Sequence, residues 1–272
     1  MTLKQVLHKY RNEYRGILAA NAYNYETIKA IVLGAKENNE PIIIQIAQST
    51  IKYLGIKITK YIFDTLKKQY DVPAWIHLDH GTDMEMIKQA INIGFDSVMI
   101  DASKLPMEKN IQITREVVKM ARKRNILVEA ELGYVPKLGE SSEDIEFTDI
   151  ETATYFVEKT GVDTLAVSVG TVHGFYKSTP EINYQRIKEI RQGVNIPLVL
   201  HGTSGLSDLQ LKKVIKSGIT KINLATEIKK TFTEKLKQQL TETDEIDPRK
   251  YMPEVIKSVS KLIISKQKVI SQ

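Results

Sequence analysis

AWIHLDHG (74–81) is the stretch whose reading decides the architecture. A short apolar run bounded by turn signals reads as a buried strand, and this one ends in a carboxylate, an imidazole and a glycine. The pattern recurs in TLAVSVGTVHG (164–174) and PLVLHGTSG (197–205), which place His173 and His201 where the first stretch places His80. Only five histidines occur in 272 residues, and three of them stand at matched strand ends. Carboxylates follow the same rule: Asp79 ends the first run, Asp101 ends SVMID and Glu131 ends ILVEAE. Imidazole is the preferred nitrogen ligand for zinc, and three protein ligands leave a position open for substrate.

Working outward, eight such runs appear: RGILAAN (15–21), PIIIQIA (41–47), PAWIHLD (73–79), DSVMID (96–101), ILVEAE (126–131), DTLAVSV (163–169), IPLVLHG (196–202) and KINLAT (221–226). Between them lie amphipathic segments such as NIQITREVVKMARKRN (110–125), with helix-stopping glycines at Gly94, Gly161 and Gly218. Strand and helix in strict alternation imply a parallel sheet covered by helices. Eight units without a Pro, Gly or Ser-rich linker predict a single-domain α/β fold, a (β/α)8 TIM barrel spanning 1–272. The rival, a doubly wound open sheet, usually stops near six strands and often opens on a glycine-rich dinucleotide loop, which is missing here. After Thr226 the chain turns lysine-rich and helical, with a turn-like DEIDPRKYMP (244–253). This tail, about 227–272, is expected to pack on the barrel or on a partner subunit.

With no cysteine, disulfides and thiolate metal sites are excluded, so any metal is held by nitrogen and oxygen. The amino-terminal MTLKQVLHKYRNEYRG is charged throughout, unlike a signal peptide. The longest apolar stretch, around PIIIQIA, is far below the roughly 18 residues that span a bilayer. A cytoplasmic protein without membrane attachment is the expectation. The net charge of +6 raises nucleic-acid binding as an alternative. Dispersed basic residues interleaved with acids, and no recognisable module, argue against it. A positive field suits a phosphorylated metabolite equally well.

Three histidines on different strands converge only at the carboxyl rim of a barrel, where such folds assemble their active sites. Asp79, beside His80, is placed to orient a ligand or to act as general acid/base on a metal-held group. Asp101 and Glu131 are either further ligands or hydrogen-bond partners of the histidines. His77, inside its strand, and His8, in a leading amphipathic helix, read as structural. The segments His201-Gly202-Thr203-Ser204-Gly205 and Asn223-Leu224-Ala225-Thr226 end the seventh and eighth strands, where barrel phosphate sites commonly lie. Their small residues let backbone amides approach an anion.

These motifs, with GFDSVMIDAS (94–103), VEAELG (128–133), TGVDTLAVSVGTVHGFY (160–176), PLVLHGTSGLS (197–207) and KINLATE (221–227), make the chain resemble the class II, metal-dependent ketose-bisphosphate aldolases. The match runs from about residue 1 to DPRKY (247–251) and covers the fructose- and tagatose-bisphosphate members. The resemblance implies a catalytic zinc on His80, His173 and His201, and a proton-transferring role for Asp79. It implies that Asp101 and Glu131 belong to an alternative or second cation site, divalent or monovalent. Gly174, Gly202, Thr203, Ser204, Asn223, Leu224, Ala225 and Thr226 match the groups that bind dihydroxyacetone phosphate, and Asn21 matches a first-strand Asn near the reacting carbons. The Glu that handles the triose proton falls in ELGYVPKLGESSED (131–144), where Glu143 is the first choice and Glu140 the alternative. Gln48-Ser49-Thr50 replaces a stretch that often contains glycine in relatives. HLDHG is closer to fructose-type members, GTSGLS and NLATE to tagatose-type ones. The implied partner is a sugar phosphate, in a homodimer or homotetramer. The competing functions are an aldolase of the same family acting on another ketose phosphate, a zinc hydrolase on the same barrel, and a non-catalytic aldolase-like subunit.

Overall fold

The structure, a computed structural model, describes residues 1–135, 147–176 and 179–271. Among these residues lie eight strands: β1 Ile17–Asn21, β2 Ile42–Ala47, β3 Ala74–Gly81, β4 Ser97–Ile100, β5 Leu127–Leu132, β6 Thr164–Val167, β7 Leu198–Leu200 and β8 Ile219–Leu224. Eleven helices accompany them in the described residues: α1 Leu3–Glu13, α2 Tyr25–Asn38, α3 Gln48–Leu54, α4 Ile56–Tyr70, α5 Met84–Ile93, α6 Met107–Arg122, α7 Ile150–Thr160, α8 Tyr184–Gly193, α9 Asp208–Ser217, α10 Thr226–Glu242 and α11 Pro248–Ile270. The strands pair in parallel, each with its sequence neighbour, and β8 returns to β1 to close the barrel. This is the (β/α)8 arrangement that the alternation predicts.

Element ends follow local chemistry. Left-handed residues stop the helices, Gly94 after α5 and Gly161 after α7. Asp83, Asp149 and Ser207 cap the amino ends of α5, α7 and α9 through their side chains. Two strands differ most from their predicted spans. β7 stops at Leu200, because Gly202 turns the chain at φ 67°, and a Cβ there would lie 2.4 Å from the Val172 carbonyl oxygen. β8 is displaced from the expected 221–226: it starts at Ile219 and stops at Leu224, since Thr226 already opens α10.

Two apolar clusters organise the interior. The larger lies between strands and surrounding helices and takes in Ile28, Ile44, Phe63, Phe156 and Ile222. The smaller joins Leu3, Val6, Leu7 and Tyr10 of α1 to Ile17, Ala19, Ile43, Trp75 and Leu127, so α1 plugs the amino-terminal end of the barrel. Above that plug the barrel interior is polar: Gln45, His77, Glu129 and Lys221 are all buried. Barrels of this kind usually fill that space with Val, Ile and Leu.

The lysine-rich segment after Thr226 forms two helices with different placements. α10 buries only Ile228 and packs chiefly on α11. α11 packs mainly on α2, and also on α9 and β1, completing the helical ring. It buries Val255, Val259, Ile263 and Ile270, each such aliphatic side chain contributing about 1.5–3 kcal/mol. Gly34 of α2 makes the close approach possible, since a Cβ there would meet Ile263 at 2.8 Å and the Ser260 carbonyl at 2.9 Å. Helix propensity alone would make Gly34→Ala stabilising by about 1 kcal/mol. The contact with α11 reverses that sign, and we expect a net loss of about 1–3 kcal/mol, read as a lower urea midpoint. An unchanged or raised midpoint would contradict this packing.

Candidate active site

Successive strand residues point to opposite faces, so Asp79 and His80 cannot both reach one site from a regular strand. β3 departs from regularity at that place. Its register with β4 shifts between Leu78 and Gly81, and His80 has a left-handed φ of 47°. An extra residue in a strand with left-handed backbone is a bulge, which re-aims side chains. A non-glycine residue held in this conformation costs on the order of 1–3 kcal/mol. Gly81 then passes against β4 where a Cβ would lie 2.4 Å from the Met99 carbonyl oxygen.

The bulge delivers His80 to His173 and His201. The ring centroids lie 5.1 Å (His80–His173), 4.7 Å (His80–His201) and 5.7 Å (His173–His201) apart, each pair steeply inclined. One ligand atom from each lies within 4.8 Å of the others, and His80, Asp101 and Glu131 form a second such group. On two of the rings the nitrogen facing away from the other histidines has a carboxylate partner. His80 Nδ1 bonds Asp101 Oδ2 at 2.7 Å, and His201 Nε2 bonds Glu129 Oε1 at 3.2 Å. His80 Nε2 and His201 Nδ1 are left facing each other at 3.1 Å. Two buried carboxylate oxygens, Asp79 Oδ1 and Glu131 Oε2, have no hydrogen-bond partner among the described residues. Converging imidazole nitrogens beside unpartnered carboxylate oxygens fit a nitrogen- and oxygen-liganded cation such as zinc.

Electrostatics separate the three rings. Burial disfavours a charged His80, but Asp79, the Asp101 hydrogen bond and Glu131 outweigh it and push its pKa up to about 10. Burial and the neighbouring His201 and His80 push His173 down to about 3, so it stays neutral. Burial opposes ionisation of Asp79 and Asp101; His80 beside both overcomes this and lowers each below the ordinary carboxyl range. Glu131 is shifted upward, mainly by burial. Asp79 is further fixed by Asn21 Nδ2, which donates to Oδ2 at 2.7 Å, while Gln45 Nε2 donates to Asn21 Oδ1 at 2.9 Å.

At the ends of β7 and β8 the two candidate anion loops are tied together. Ser204 Oγ accepts from the backbone N–H groups of Thr226 and Glu227, at 3.1 and 3.3 Å. Thr203 Oγ1 donates to the Asn223 carbonyl, and Gly205 N donates to Glu227, which Lys266 of α11 also meets at 2.9 Å. Tyr176 donates to the Gly202 carbonyl and Tyr23 to the Ala225 carbonyl. Gly174, beside His173, has φ 112°. Leu224 turns its side chain into the apolar core, so only its backbone faces the rim.

Of the residues singled out in the sequence, His80, His173, His201, Asp79, Asp101, Glu131 and Asn21 thus come together in space. Glu143 and Glu140 lie outside the described residues. Gln48 donates to the His80 carbonyl and to Thr82 Oγ1, supporting the bulge. His77 is structural: it is buried, pairs with Ser97 Oγ at 2.7 Å, and burial pushes its pKa down to about 3. Sequence reasoning passed over Glu129, Lys221 and Gln45. Their signal was present, since Glu129 stands two residues before Glu131 and must share its face, while Lys221 interrupts an apolar strand.

A closed parallel barrel with histidines and carboxylates gathered at its carboxyl rim defines a barrel enzyme of the metal-dependent kind. Residues 1–272 match the family described as fructose-bisphosphate aldolase class-II, and the chain belongs to that family. It is similar to the YdjI aldolase from Escherichia coli K12, at 33% identity and TM-score 0.89, over 98% of this chain and 96% of that one. The fructose-bisphosphate aldolase (Fba) from Campylobacter jejuni shares the fold, at 22% identity and TM-score 0.83, over 98% of this chain and 93% of that one. No helix among the described residues is long and apolar enough to cross a membrane.

Zinc added to the metal-free chain should raise its melting temperature by roughly 5 °C or more at a hundredfold excess over Kd, and His173→Ala should abolish the rise. A metal bound at His80 would have to displace a proton, since a pKa of about 10 keeps that ring charged at neutral pH. Uptake should therefore release protons and weaken as pH falls; calorimetry in buffers of different ionisation enthalpy measures both. Equal heats in every buffer would exclude the exchange.

Proposed function

We propose that this class II aldolase is zinc-dependent and reversibly cleaves a ketose 1,6-bisphosphate, fructose or tagatose, to dihydroxyacetone phosphate and glyceraldehyde 3-phosphate. The observation that carries the reading is Asp79: a buried carboxylate, held by Asn21 on one oxygen and unpartnered on the other, beside three converging imidazoles. His80, His173 and His201 would hold the zinc, which supplies Lewis-acid polarisation of the substrate ketone. Asp101 and Glu131 would orient these ligands or hold a second cation.

In the cleavage direction Asp79 takes the proton from the hydroxyl on the aldehyde side of the breaking carbon–carbon bond. That oxygen becomes the aldehyde, and the bonding pair passes to the triose carbon, conjugated with the polarised ketone. Protonation of this carbon completes the triose, a role that the family resemblance gives to Glu143. Backbone amides and hydroxyls of Gly174, Gly202, Thr203, Ser204, Asn223, Leu224, Ala225 and Thr226 would hold the phosphate. For an incoming phosphate to use the amide of Thr226, Ser204 Oγ must give up its bond to it. We read the working form as a cytoplasmic homodimer or homotetramer, a state that light scattering determines.

The decisive assay supplies both bisphosphates to the zinc-loaded protein and follows triose phosphate release. Cleavage of one or both is expected, and metal-loaded protein that cleaves neither would overturn the assignment. Chelator should abolish turnover, and borohydride with substrate should trap no covalent adduct. Asp79→Asn should keep its zinc and lose about 100- to 10,000-fold in kcat. Loss of the metal instead would make Asp79 a ligand or a folding residue.

A further inference from the structure

The barrel interior beneath the site holds a charge pair that the proposed reaction does not use. Glu129 on β5 and Lys221 on β8 are each 2% exposed, with Lys221 Nζ 3.1 Å from Glu129 Oε1 and 2.9 Å from Oε2. Thr164 Oγ1 donates to Oε2 at 3.2 Å, and His201 Nε2 lies 3.2 Å from Oε1. Leaving His201 aside, the contacts of this carboxylate are the Lys221 ammonium and the Thr164 hydroxyl, both donors. A buried ion pair is weak evidence for stability, since apolar replacements are often as good. Its position suggests another use.

A neutral imidazole carries one N–H and one lone pair, and only the bare nitrogen can ligate a metal. Glu129, occupied by an ammonium and a hydroxyl, has no proton to offer His201, so the ring must donate from Nε2. Its lone pair then lies on Nδ1, the atom that faces His80 Nε2 at 3.1 Å and Glu131 Oε2 at 3.6 Å. The opposite tautomer would set a lone pair against a carboxylate and aim an N–H at the cation.

We propose that Glu129, held in place by Lys221, is a positioning residue that selects the ligating tautomer of His201 and so sets the affinity of the metal site. This rests on the reading of the three histidines as that site. Carboxylate partners of metal-bound histidines are typically worth 10–100-fold in affinity. Glu129 reaches the metal only through His201, and Lys221 supplies the charge that lets a carboxylate stay buried there.

Single substitutions would strand one buried charge, so the test uses charge-balanced doubles. Glu129→Leu with Lys221→Met removes the acceptor for His201; Glu129→Gln with Lys221→Met keeps an amide oxygen in its place. Zinc affinity is measured without sugar, by competition with a chromogenic chelator. The Leu double should bind zinc about 10–100-fold more weakly, and the Gln double within about fivefold of the parent. Two doubles that both bind like the parent would overturn the proposal, as would two equally weakened ones, which would show a merely structural pair. Nitrogen-15 NMR of histidine-labelled parent protein, with His201 assigned by difference from His201→Asn, gives a readout that needs no variant of the pair. A proton on Nε2 is expected, and one on Nδ1 would overturn the assignment even if the Leu double fails to fold. Should the parent itself bind no zinc, the three-histidine reading fails. Zinc bound regardless of residue 129 sinks the positioning role alone.

Discussion

The alternation of side chains along a β-strand is the constraint on which this site depends. A regular β3 would send Asp79 and His80 to opposite faces, one toward the barrel axis and one toward the helices. The bulge between Leu78 and Gly81 breaks that rule at one residue, with His80 as the left-handed member. Neighbouring features are shaped to keep it there. Gly81 has no side chain to strike β4, Gln48 holds the His80 carbonyl and Thr82, and Asp101 draws the His80 ring into place. Local backbone strain is thereby exchanged for the adjacency of a proton-transfer group and a metal ligand. Such strain is typical of functional positions in otherwise regular elements.

A second constraint follows from filling a barrel with polar groups. Burying Glu129 and Lys221 is tolerable because opposite charges answer one another. Gln45 and His77 each have one side-chain polar atom hydrogen-bonded and one without a partner among the described residues. Burial disfavours a charged Glu129, yet Lys221 beside it holds its carboxyl below the ordinary range. His77, pushed down to about 3 chiefly by burial, stays neutral. The result is a polar column running from the α1 plug toward the rim, in which each layer orients the one above. Gln45 holds Asn21, and Asn21 holds Asp79.

The barrel was legible because its signals are periodic and repeated: eight apolar runs, each followed by an amphipathic segment. The histidines were legible for the same reason, each closing one of those runs. Some features were not, because they depend on register. Nothing in HLDHG announces a bulge, since the shift is defined only against β4. Glu129 and Lys221 lie far apart in the chain, and only closure of the barrel makes them partners. The start of β8 was misplaced because Lys221 reads as a strand edge when its partner is unseen. The lysine-rich tail was legible as helical and as packing on the barrel or on a partner. That it forms two helices, of which only α11 joins the ring, was not, since the buried stripe of α11 is interspersed with lysines.

The placement of α11 has a consequence for how the chain is made. Its main partner, α2, leaves the ribosome early, whereas α11 emerges about 200 residues later, on the order of 10–40 s at ordinary elongation rates. Through most of that interval β1 has no β8 to pair with, and the apolar face around Gly34 has no cover until α11 follows. A nascent barrel of this topology is thus an open arc until β8 arrives, and one helix short until α11 does. Transiently exposed apolar surface and unpaired strand edges are what make an incomplete chain prone to aggregate, and here the order of synthesis decides how long both persist.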